Sequence, residues 1–225
     1  MNRSKKVICL TLAILFLALS CLFLWQKDNI GAMILYLRTD SETISAQKYQ
    51  LDLHHKEELE DATGEEILVT LPSAEQCEDL LSGTVTSEQV KDELGLTAPL
   101  EQPPAAQKTD TLGSIVNDCA AELAGYKVDV MSKLGSAKAE VLAQWAALPS
   151  EEKTSSKKTA LIMDGLQLCY TYEVEVDTAV EGCLNRYRAK LEAIGEDPSV
   201  MDLFWKHYCN EKKTEKAFYL DKYLS

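Results

Sequence analysis

The sequence predicts an all-α protein: an N-terminal transmembrane helix, a helical stalk, and long antiparallel helices that form either a three-helix bundle or an elongated coiled-coil hairpin with a shorter third helix. Three observations carry this. Val7 to Trp25 is a run of nineteen residues without a charge. From residue 111 onward apolar side chains recur every three or four positions through two long stretches, which is the spacing of one helical face. The stretches are separated by helix-stopping residues, Pro149 and Gly195, at short connections that make the flanking helices antiparallel neighbours.

Residues 1–6 ("MNRSKK") form a basic leader. Nineteen helical residues at about 1.5 Å each reach roughly 28 Å, close to the hydrocarbon thickness of a bilayer, so residues 7–25 read as an uncleaved signal anchor whose partner is the lipid. Two other readings compete. Ala18-Leu19-Ser20 offers small residues for a cleavage site, but the chain stays apolar beyond it ("CLFLW"). Cys21 offers a lipid-attachment point, but it has Ala rather than Leu three positions before it and Leu22 after it. Trp25 sits where an interfacial aromatic belongs and Lys27 lies in water, so these two residues mark the membrane boundary. Arg3, Lys5 and Lys6 precede the span, and the positive-inside bias then puts the N-terminus in the cytoplasm and the rest outside the cell.

Residues 26–64 read as a juxtamembrane and stalk region. Ile30–Leu37 ("IGAMILYL") is too short to cross again and suits a juxtamembrane helix or a segment lying at the interface. Thr39 and Glu42 have capping-box spacing and open a helix to about Ala62, stopped by Gly64, with the thin apolar stripe Ile44, Leu51, Leu59. Such a stripe pairs with one neighbour and makes no core. Within residues 65–96, "EEILVTL" reads as a short strand or an extended lead-in. Two small helices follow, opened by Ser73 with Gln76 and by Thr86 with Gln89, and closed by Gly83 and Gly95. Residues 97–110, with Pro99, Pro103 and Pro104, form a linker.

The bundle occupies residues 111–225. Its first helix shows the series Leu112, Ile115, Cys119, Leu123, Tyr126, Val130, Leu134, Ala137, Val141, Trp145, Leu148. The second runs Leu161 or Ile162, Leu166, Cys169, Tyr172, Val176, Val180, Cys183, Tyr187, Leu191, Ile194. Asp197-Pro198 caps the third.

Charge narrows the function. The chain carries a net −13, with +3 in residues 1–25, −12 in 26–110 and −4 in 111–225. Phosphate backbones are bound through Lys and Arg, so nucleic acid is excluded as a partner. The two small helices invite a helix-turn-helix reading, but Glu88, Asp92 and Glu93 oppose it. The acidic stalk also stands away from anionic lipid.

In this order, "DNIGAMILYLRTDSETI", "LLSGTVTSEQVKDELG", "ALPSEEKTSSKK", "YEVEVDTAVEGCLNRYRAKLEAIGEDPSVMDLFW" and "EKKTEKAFYLDKYL", the chain resembles a group of uncharacterised single-pass membrane proteins of Clostridia-type Firmicutes. The likeness covers most of the chain. It implies topology and fold, and no activity. A cysteine common in that group just ahead of the second helix's Asp is Val176 here, so the resemblance gives no role to this chain's thiols. "CLNRYRAKLEAI" is more weakly similar to small periplasmic lysozyme-inhibitor domains.

Five cysteines lie beyond the span: Cys77, Cys119, Cys169, Cys183 and Cys209. Folding the hairpins about 150–151 and 196–197 brings Cys119, Cys183 and Cys209 to one level. There they read as a disulfide (Cys119–Cys183 or Cys183–Cys209), as buried thiols, or as part of a metal site; the last is opposed by the absence of a CxxC pair. Cys169 reads as core, and Cys77 as an exposed thiol or an intermolecular bridge. His54 and His55 read as solvated. Glu173 and Glu175 are a carboxylate pair of the kind that hydrolyses glycans, but two positions apart on a helix they diverge by about 200°. No catalytic, cofactor or metal residues are assigned. Phe218, Tyr219 and Tyr223 form either a partner-binding tip or aromatics folded back on the bundle. The chain is thus expected to be a non-enzymatic interaction or structural protein of the cell envelope with a protein or cell-wall partner. The alternatives are an inhibitor-like module acting on a lytic enzyme and a glycan-active enzyme.

Overall fold

The computed structural model describes residues 27–39, 41–96 and 110–224. The expected span with Trp25 and nearly all of the Pro-rich linker lie outside the described residues, among which no helix is long and apolar enough to cross a membrane. The described chain is all-α, with seven α-helices: α1 (Lys27–Arg38), α2 (Ser41–Thr63), α3 (Ala74–Ser82), α4 (Ser87–Glu93), α5 (Leu112–Ala147), α6 (Ser155–Ile194) and α7 (Val200–Leu224). Lys27 opens α1.

The helix boundaries follow local chemistry. Ser73 and Gln76, Thr86 and Gln89, and Thr111 and Ser114 each form a reciprocal capping box at α3, α4 and α5, and the Thr154 hydroxyl caps α6. Each such cap satisfies otherwise orphaned backbone N–H groups, worth about 1 kcal/mol. Gly83 and Gly195 end α3 and α6 with φ of 74° and 80°, a left-handed turn that any side chain would strain. At Pro149 the chain passes through a single 3-10 turn, Ser150–Glu152, before α6 begins. Asp197 takes the Ser199 N–H and hydroxyl ahead of α7, and these hydrogen bonds hold its carboxyl below the ordinary range.

Residues 56–205 form one packing unit. Here α5 and α6 run antiparallel: Glu122 meets Arg186, Lys133 meets Glu175, and Val141 abuts Gly165, the α6 number falling as the α5 number rises. Two faces of α5 are buried rather than the one that its apolar spacing predicts. Ile115 and Cys119 lie on the expected stripe, and a second row, Val116, Ala120, Ala124, Val128, Met131 and Gly135, takes the small helices. At Gly135 the missing side chain admits the Leu80–Leu81 backbone of α3, and Lys91 of α4 pairs with Asp129 at 2.6 Å. Rows of Ala and Gly are faint in a hydropathy pattern, yet they let helices approach closely. "EEILVTL" is extended, without strand pairing among the described residues. The Asn117 side chain clips it to α5, accepting from Leu68 N (2.7 Å) and donating to Glu66 O (2.9 Å). The start of α7 closes this unit through Val200, Met201 and Phe204, all buried, and an Arg188–Asp202 pair at 2.6 Å. Burying each such side chain contributes about 1.5–3 kcal/mol.

Residues 27–55 and 206–224 form the second unit. Lys48 pairs with Glu215 at 2.9 Å and His55 stacks on His207, so this part of α2 runs antiparallel to the end of α7. In this unit α2 packs along α7. His55 lies at this contact: only 7% exposed, it corrects the expectation that both stalk histidines are solvated, while His54 does face solvent.

Candidate functional site

The 56–205 unit holds a polar and thiol layer between its long helices and an exposed apolar face farther along them. The first is an interior layer between α5 and α6. Cys119, Glu122 and Tyr126 share a face of α5 at i, i+3 and i+7, and Cys183, Arg186 and Tyr187 share the facing side of α6. Cys119 and Cys183 are both fully buried on the facing sides of the two helices, and Cys119 Sγ donates to Met201 Sδ at 3.9 Å. The Cys183 contact first, and burial second, push the Cys119 thiol far above its ordinary value. A thiol so placed is neither nucleophile nor metal ligand while the layer stays closed.

One turn along, Glu122 gathers the polar groups. It accepts from Tyr126 OH at 2.5 Å and Tyr187 OH at 3.2 Å, and forms an ion pair with Arg186. Partial burial works against its charge, but the donors together outweigh it and hold the carboxyl below the ordinary range. Burial, then the nearby Glu122 charge, raises Tyr187; burial, then the Glu122 hydrogen bond, raises Tyr126. The net shifts keep Glu122 ionised, both phenols protonated and Arg186 charged, so the cluster is a clasp between helices rather than an acid–base pair poised near neutrality.

The second region is the far arm of the hairpin, beyond Gly135 on α5 and before Val174 on α6. Leu161 is buried against α5, and Gly165 lets Val141 approach. The outward face of the same helix is apolar: Ile162, Met163 and Leu166 are 46%, 59% and 57% exposed, and Leu142 of α5 is 58% exposed. Leu166 and Ile162, expected in the core series, therefore point outward. The reason is geometric. Two helices packed on each other bury one face each and leave the opposite face of α6 uncovered among the described residues.

The other expected site residues fall apart in space. Cys77 is buried with Leu80 and Leu81 on the inner face of α3, which removes the exposed-thiol reading, and Cys169 is half-buried. Cys209 belongs to the other unit. All five cysteines are thiols here, with no disulfide among them. Glu175 bonds Lys133 Nζ at 2.7 Å, a pairing that ties up one member of the Glu173–Glu175 pair and raises the Lys133 pKa. Phe218 and Tyr219 are half-buried, edge-to-face with each other and under Lys48 Nζ at 4.3 and 5.2 Å. The Tyr223 side chain lies outside the described residues. Among the described residues no group of three or more His, Cys, Asp or Glu side chains is placed to hold a metal. Two depressions are open to solvent: about 430 Å³ at the hairpin turn beside Glu151, Glu152 and Lys157, and about 390 Å³ between Thr86–Glu88 and Ser132–Ala139.

Comparison of the chain with protein-family models, with curated proteins and with solved structures gives no match. Sequence reasoning put Cys119, Cys183 and Cys209 at one level, of which Cys119 and Cys183 share this unit, and missed the Glu122 clasp, although Glu122 and Tyr126 stand at i, i+4 beside the apolar stripe. It also missed the outward face of the arm, because a stripe two residues wider than its partner can cover reads the same as a buried one.

Proposed function

We propose that the protein is a membrane-anchored binding module of the cell envelope, whose helical hairpin stands outside the membrane and docks a protein partner along the apolar face of its far arm. The observation that carries this is the set Leu142, Ile162, Met163 and Leu166, four large apolar side chains about half exposed on the two-helix arm, three of them within five residues of α6. Soluble surfaces scatter such residues singly, and a contiguous group marks an interaction site. Anchoring rests on the uncharged run Val7–Trp25 and the basic leader. Met33, Ile34 and Leu37, exposed on α1 a short way beyond Trp25, suit a helix resting at the lipid interface.

The test is a photo-crosslinking amino acid in place of Met163 in the full chain in native membranes. A discrete protein adduct that Leu166→Glu abolishes is expected. Adducts to lipid alone, or an adduct pattern that Leu166→Glu leaves intact, refute docking on this face. The glycan-active reading has less to rest on, since Glu175 is engaged by Lys133.

A further inference from the structure

We propose that Cys119 and Cys183 are a disulfide site, closed while the chain folds and then sealed between α5 and α6. The two thiols neighbour one another on the facing sides of α5 and α6, each is 0% exposed, and the Met201 side chain of α7 lies against Cys119. The competing partners in the unit are remote. Cys169 lies fourteen residues from Cys183 on the same helix, about 21 Å along the axis. Cys77 lies on α3, which reaches α5 at Gly135, sixteen residues or about 24 Å along α5 from Cys119.

The oxidant is a disulfide, either a small one such as oxidised glutathione or a protein disulfide. One cysteine thiolate attacks it, forming a mixed disulfide and releasing one thiolate. The second cysteine thiolate then attacks the mixed disulfide, forming the Cys119–Cys183 bond and releasing the other thiolate. Two protein thiols lose two electrons and two protons, and the oxidant becomes two thiols. Both attacks need a thiolate and an in-line approach. In the folded protein burial denies the approach, and the raised Cys119 thiol supplies almost no thiolate, its fraction falling tenfold for each unit of upward shift. Closure therefore belongs to folding, before α7 covers the layer, and reductants meet the same barrier afterwards.

The experiment is refolding of the reduced full-length chain, in detergent, in a glutathione redox buffer, followed by thiol alkylation, digestion and mass mapping. A Cys119–Cys183 linked peptide, lighter by two hydrogens than the reduced pair, is expected. The folded, reduced chain placed in the same buffer is expected to stay reduced for as long as it stays folded. Refolded chain with both cysteines alkylated, or with Cys183 linked to Cys209, overturns the proposal. So does rapid oxidation of the already folded chain. The pairing does not depend on location, but its occurrence in the cell rests on the outward placement proposed above. The same map on acid-quenched chain from cells separates the two: a link that forms on refolding but is missing in cells counts against that placement and leaves the pairing standing.

Discussion

Replacement of Gly135 by alanine tests whether α3 is held on α5 by backbone contact. A Cβ at this position would overlap the Leu80 carbonyl oxygen and stand 3.0 Å from Leu81 Cα and 3.2 Å from Leu81 C. These are backbone atoms, and no side-chain rotation relieves them. Overpacking of this kind costs about 3 kcal/mol, and alanine's better helix propensity returns about 1, for a net loss of about 2 kcal/mol. Gly125 is the internal control. A Cβ there meets only Lys91 Cε at 3.9 Å, so Gly125→Ala should stabilise by about 0.5–1 kcal/mol. The readout is the thiol of Cys77, 1% exposed on the inner face of α3. In Gly135→Ala its maleimide labelling, read by peptide mapping, should rise by about thirtyfold, the factor that 2 kcal/mol implies, and in Gly125→Ala it should fall. Equal labelling in the two variants would refute close backbone packing as what holds α3.

Glu122→Gln removes the charge at the α5–α6 clasp and should cost about 1 kcal/mol in urea unfolding, at the modest end because Arg186 is largely exposed. Glu122 has a folded pKa below its unfolded one, so its contribution is complete above the ordinary carboxylate range. It is lost as pH falls through that range and then through the depressed value. Stability of the wild type should therefore fall more steeply than that of Glu122→Gln on acidification from about pH 5 to 3. On the far arm, Leu161→Ala should cost about 2–3 kcal/mol, because its side chain is buried, while Leu166→Ala should change stability by less than about 0.5 kcal/mol. A disulfide between Cys119 and Cys183 should raise stability by about 4 kcal/mol in the loop-entropy account, measured as a shift of the urea midpoint between oxidised and reduced chain.

Most helix ends were legible in the sequence because they rest on local chemistry. Ser73 and Thr86 cap through side chains three residues from their targets, and Gly83 and Gly195 provide turns that other residues resist. What depends on non-local packing was harder to read. Ala120, Ala124 and Gly135 look neutral by hydropathy, yet they are where α5 receives a second neighbour. His55 and Lys48 complete the inner stripe of α2 as polar residues, so their burial depends on His207, Glu215 and Phe218 being opposite. Leu166 continues the period of Leu161 and Cys169, and only the number of helices around the arm makes it outward-facing. The thiol level illustrates both cases. Counting along the hairpin brings Cys119 beside Cys183, whereas the clasp one turn away needs four polar side chains from two helices to converge on one another.

Thiol labelling at two introduced cysteines tests docking of the far arm most directly. Ser156→Cys, exposed at the hairpin turn, and Leu166→Cys, on the apolar face, are placed singly in the full chain and treated with a membrane-impermeant maleimide in intact cells and after purification. If the arm stands outside and a partner covers its apolar face, position 156 labels in both settings, and position 166 labels when purified but is protected in cells. Equal labelling of position 166 in cells and in the purified chain, with position 156 reactive in both, would contradict a partner on that face.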